Sequence, residues 1–110
     1  MLADAEYRAE LDYLIRYTEM SPVYFTPLWD AAETVAGQSA SEAEVQEAAL
    51  RLIGDMMDHG IKVGDMSPKD GEGVIPWGLS RSETLERIHS EMQACEDPLE
   101  YVNICWFSAT

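Results

Sequence analysis

Residues 41–64 read SEAEVQEAALRLIGDMMDHGIKVG, and this stretch decides the fold class. Ser41 and Glu44 have the S-x-x-E spacing of a capping box, in which each side chain satisfies a backbone donor at the other's position. Val45, Ala48, Ala49, Leu52, Ile53 and Met56 then recur at helical spacing and form one apolar stripe. Gly60 ends the helix. Ile61-Lys62-Val63 alternates as a short strand does, and Gly64 is expected to break it. A well-bounded helix running straight into a strand predicts a mainly α domain with a small sheet, of the α+β class.

Upstream, Tyr7, Leu11, Leu14 and Ile15 share one face, which predicts a first helix over about 4–19, ending before Ser21-Pro22. Thr26-Pro27 offers an N-cap followed by proline at the first helical position. The second helix is expected to run to Ala36, burying Leu28, Ala31, Ala32 and Val35, with Gly37 in the left-handed position beyond it. Downstream, residues 65–79 hold Pro68, Gly71, Gly73, Pro76 and Gly78, the composition of a loop or hairpin. Ser80 and Glu83 form a second capping box and open a fourth helix with Leu85, Ile88 and Met92 inward. Asp97-Pro98 starts a further turn. Residues 101–107 (YVNICWF) are β-branched and aromatic, and are expected to pair as a strand with Ile61–Val63. The expectation is about four helices and a short strand pair in one domain, with a winged-helix-like outline as one way to draw it.

Twenty-one Asp and Glu against seven Lys and Arg give a formal charge of −14 over 110 residues. Such a surface repels phosphate and suits a basic partner, so nucleic acid is excluded as a ligand. With 46% hydrophobic residues, three Trp, five Tyr and two Phe, the chain is too apolar for a disordered acidic tail. No apolar run approaches the roughly 20 residues of a membrane span, and the first residues lack the pattern of a secretory signal. Cys95 and Cys105 are too few and too far apart for a disulfide scaffold or a zinc site, so they read as free thiols and the chain as cytoplasmic.

No pattern of catalytic residues emerges. Asp55 precedes His59 by four residues, which permits a carboxylate–imidazole pair on one helical face. The simpler expectation places His59 at the carbonyl end of its helix, where imidazole is favourable. Carboxylate pairs at helical spacing, such as Glu6 with Glu10 or Asp55 with Asp58, follow from the abundance of acids. The calcium-loop pattern and G-x-S-x-G are both absent. No cofactor and no metal are implied. Were the third helix to enter a DNA groove, it would present Glu42, Glu44, Glu47, Asp55 and Asp58 against Arg51 alone. The acids that do gather are Asp55, Asp58, Asp65, Asp70 and Glu72, with Trp77 close behind. This group is the candidate partner-binding surface, in which carboxylates steer a basic protein and an aromatic anchors it.

The run 50–65, then Ile75-Pro76-Trp77, the helix through Arg87-Ile88, Asp97-Pro98 and Asn103-Ile104-Cys105-Trp106-Phe107 together resemble small acidic bacterial immunity proteins. Such proteins accompany polymorphic or contact-delivered toxins. The resemblance implies a cytoplasmic, non-enzymatic inhibitor that binds its cognate toxin domain, often a basic nuclease, and blocks its active site or substrate channel. It transfers no binding residues. The alternative class is a regulatory or adaptor domain of winged-helix-like shape that binds another protein. A small enzyme using His59 with Asp55 is a third.

Overall fold

The computed structural model describes residues 4–69 and 73–109. The fold is α+β, with four α-helices and a four-stranded antiparallel sheet among those residues. In chain order the elements are α1 (Asp4–Met20), β1 (Val23–Tyr24), α2 (Phe25–Ala36), α3 (Glu42–Asp58), β2 (Lys62–Met66), β3 (Val74–Pro76), α4 (Arg81–Ala94), a 3-10 segment (Pro98–Asn103) and β4 (Trp106–Ser108). The strands lie in the order β1-β4-β2-β3.

Both capping boxes are present. Ser41 Oγ accepts from the Glu44 N–H while the Glu44 carboxylate accepts from the Ser41 N–H, and Ser80 with Glu83 repeats the arrangement. These bonds to the backbone N–H hold the Glu44 and Glu83 carboxyls below their ordinary range. The predicted stripe of α3 is buried along its whole length and packs against α1, α2 and α4. On α2, Leu28, Ala31, Ala32 and Val35 are likewise buried, and Gly37 takes φ +98° after the last turn. Gly60 follows α3 with φ +89°.

Four expectations need correction. First, α2 begins at Phe25, so Thr26 is not its cap and Pro27 stands third in the helix. Proline is tolerated there because first-turn N–H groups have no helical partner. The earlier start is set by fully buried Phe25, which packs its ring on Phe107 and Tyr101. Second, Val23-Tyr24 forms a strand, β1, with no propensity run to announce it; it exists because it pairs with β4. Third, Gly64 does not end β2, which continues to Met66. It stands close against β3: a Cβ there would lie 1.9 Å from the Ile75 carbonyl oxygen. Fourth, the C-terminal strand covers only Trp106–Ser108, and the preceding Tyr101–Asn103 lie in the 3-10 segment, with Asp97 as its cap. The expected pairing with β2 is present, with Val63 opposite Phe107.

Three helices precede the β2–β3 hairpin, as in the winged-helix outline. The sheet departs from a plain hairpin, because β4 inserts between β1 and β2. Asp65 lies opposite Ile75, and backbone bonds join Trp77 N–H to Val63 and Ser67 N–H to Gly73. The hydrogen-bonded pairs therefore fall at 63/77, 65/75 and 67/73. Residues 74 and 76 turn their backbone groups to the outer edge, where Pro76 has no N–H to offer.

Candidate functional site

Among the described residues, the predicted acids are divided between α3 and β2. Asp55 and Asp58 lie at the C-terminal end of α3, in a cleft of about 400 Å³ facing Tyr7, Arg8 and Asp12 of α1. Asp55 is half-buried and accepts a 2.5 Å hydrogen bond from the Tyr7 hydroxyl, while the Arg51 guanidinium lies over the Tyr7 ring, 3.9 Å from its centre. Asp58 is exposed and pairs with Arg81 of α4 at 3.0 Å. The Arg81 guanidinium reaches that position across Gly54, whose carbonyl also accepts from Arg81 Nε. His59 caps α3, and its Nδ1 meets the backbone carbonyl of Asp55 at 2.9 Å. The imidazole thus addresses the helix end and not the Asp55 carboxylate.

Trp77 is half-buried against the core, and Arg87 of α4 covers it, 3.7 Å from the ring centre and 3.3 Å from Glu91. Its Nε1–H is buried with no acceptor among the described residues. Arg81 and Arg87 stand six residues apart on α4, about 9 Å along its axis. One helix therefore engages two of the predicted contacts. Asp65 is exposed on β2, beside half-exposed Ile75. Asp70 and Glu72 lie outside the described residues.

Burial and, for Tyr7, the bond to Asp55 raise the phenol pKa of Tyr7 and Tyr101 above the ordinary value of about 10. For Tyr101, a hydrogen bond from Gln46 acts in the opposite direction but does not prevail. Between pH 10 and the raised values the folded chain holds protons that the unfolded chain has lost. Stability is thus full below about pH 10 and declines as pH rises through the folded-state values. Tyr7→Phe is expected to flatten this alkaline loss while costing about 1.5 kcal/mol at neutral pH through the lost charged hydrogen bond. Urea midpoints from pH 7 to 11 check both; equal slopes for the two proteins would contradict the assignment.

A second cleft, which the sequence did not announce, lies between α2 and the 3-10 segment and encloses about 380 Å³. Trp29 and Tyr101 meet edge to face at 4.8 Å along it, and Asp30, Glu33 and Asp97 stand around it. Tyr101 is held from behind: its hydroxyl accepts from Gln46 Nε2 and donates to Glu42, and Gln93 in turn donates to Gln46. Among the described residues, no group of three His, Cys, Asp or Glu is placed to hold a metal ion. No helix among them is long and apolar enough to cross a membrane. Cys95 is half-buried and Cys105 buried, both free, with burial pushing each thiol up.

Comparison with protein-family models, with curated proteins and with solved structures returned no match.

Proposed function

We propose that this chain is a non-catalytic inhibitor of the immunity type, which binds a basic toxin domain in the cytoplasm of the cell that makes both. The observation that carries this proposal is uncompensated surface charge. Twenty-one carboxylates face seven Lys and Arg, and among the described residues only Asp58 and Glu91 stand within ion-pair distance of an arginine. A field left unneutralised inside the molecule acts on whatever approaches. It speeds association with a cationic protein and slows it with nucleic acid. The exposed face of α3, with Glu42, Glu44 and Glu47, adds to that preference. Neither cofactor nor metal nor membrane enters the proposal.

Toxins that act on nucleic acids need basic clefts, and an acidic protein can fill such a cleft as a mimic of the phosphate chain. Co-expression with the product of the adjacent reading frame tests this. That product is expected to arrest growth alone, and growth should recover, with the two proteins co-purifying, when this chain is present. The association rate should fall steeply once salt shortens the screening length to about 10 Å, near 0.1 M. Persistent growth arrest in the presence of this chain, or a harmless neighbour, rules the proposal out. The order of three helices and a hairpin favours a second reading, an adaptor of winged-helix-like outline. It would bind a cellular protein with no toxic neighbour.

A further inference from the structure

Two aromatic side chains of this fold lie beneath an arginine with a carboxylate close by. Arg51 covers Tyr7, whose hydroxyl is bound to Asp55, and Arg87 covers Trp77 while pairing with Glu91. The α2–3-10 cleft offers the same chemistry a third time. Half-buried Trp29 supplies the aromatic surface, with buried Tyr101 edge to face behind it, and Asp30, Glu33 and Asp97 supply the acceptors. Among the described residues lining it there is no lysine or arginine. We infer that this cleft is a docking site for an arginine side chain presented by a partner protein.

Five features fit that occupant. A guanidinium has flat, weakly hydrated faces that stack on aromatic rings and a planar fork of N–H donors for carboxylates, whereas an ammonium offers only a point charge. A divalent cation is disfavoured, since the three carboxylates do not converge within ligand reach of one another. Leu99 stands at the rim, 82% exposed, and gives an apolar neighbour of the docked arginine something to cover. The receptor is also held in place before binding. Gln46 and Glu42 fix Tyr101, and Asp97 is oriented by accepting the Leu99 N–H at 3.0 Å, so little side-chain freedom is lost on docking. Asp30 and Glu33 have no ion-pair partner among the described residues.

The inference rests on the proposed toxin only for the partner's identity, and the test separates the two. The full chain is titrated with N-acetyl-arginine methylamide and, in parallel, with the neutral N-acetyl-citrulline methylamide, while backbone and indole resonances are followed. The arginine compound is expected to shift the Trp29 indole and the Leu99 amide, and the citrulline compound to leave them in place. A D30N/E33Q/D97N variant keeps side-chain shape and the Asn cap at 97. It should bind the arginine compound about tenfold more weakly, as three modest charge contacts acting together imply. E86Q, at an exposed position of α4, should bind it unchanged.

Equal response to both compounds, shifts centred on Asp65 and Ile75, or no response overturns the inference. Against the toxin domain that passes the co-expression test, the triple variant should associate at least about tenfold more weakly; undiminished binding overturns it equally. If the variant instead abolishes self-association of the wild-type chain, the occupant is a second copy and the inference fails. Arginine binding retained beside a failed co-expression test removes the toxin and leaves the cleft.

Discussion

Replacing Phe107 with alanine is expected to lower the unfolding free energy by about 3–5 kcal/mol, the range for a buried phenylalanine. Phe107 has no exposed surface. It sits at the middle of β4, opposite Val23 on one side and Val63 on the other, and its ring stacks on Phe25 at 6.3 Å. Removing it opens a void where both halves of the sheet and the start of α2 meet. Domains of this size have roughly 5–15 kcal/mol in total, so the loss is a large share. Urea unfolding followed by circular dichroism should show a much lower midpoint with an unchanged slope. Phe107→Leu, which refills most of the volume, should cost less than half as much. Equal midpoints for Phe107→Ala and the parent would mean that β4 does not occupy the centre of the sheet.

The second large effect runs against the usual rule for glycine. An alanine in a strand ordinarily gains about 0.5–1 kcal/mol over glycine through reduced freedom of the unfolded chain. At Gly64 the added methyl would meet the Ile75 carbonyl oxygen at 1.9 Å and its carbon at 2.6 Å. Those are backbone atoms of the paired strand, which cannot rotate aside. Gly64→Ala should therefore destabilise by about 1–3 kcal/mol and speed amide exchange along β3. Gly54→Ala is the informative contrast. Its methyl would meet only the tip of the Arg81 guanidinium, at 2.5 Å. That side chain can swing away, at the cost of its bonds to Gly54 and Asp58, while the helix gains close to 1 kcal/mol. A near-neutral Gly54→Ala beside a damaging Gly64→Ala is the expected pair of results. A stabilised Gly64→Ala would contradict the close approach of β2 and β3.

The elements that the sequence revealed are those whose cause is local. Ser41 with Glu44 and Ser80 with Glu83 stand three residues apart, so their reciprocal bonds can be read from the chain alone, as can the stripe from Val45 to Met56. The elements it concealed have distant causes. Val23-Tyr24 is a strand only because residues 106–107 lie beside it, and Gly64 is required by a strand eleven residues further on. The candidate surface follows the same division. Asp55, Asp58, Asp65 and Trp77 are near neighbours in sequence, yet Tyr7, Arg81 and Arg87 reach in from other helices and engage three of them. The α2–3-10 cleft joins residues about seventy positions apart, and no local pattern reports that. One signal was accessible: Trp29 stands next to Asp30 and Glu33 at the margin of the buried face of Leu28, Ala32 and Val35, an aromatic among acids at the edge of the core.

The central place of β4 also bears on how the protein is made. Strand β1 leaves the ribosome first and the β2–β3 hairpin after it, yet within the sheet the two are joined only through residues 106–108. Until those residues emerge, the nascent chain can hold helices but not a closed sheet. A product cut short before Phe107 would lack the strand that joins the two halves and would be left to proteolysis. Closure of the sheet therefore waits on β4, and a chain that extends through residues 106–108 can join the two halves.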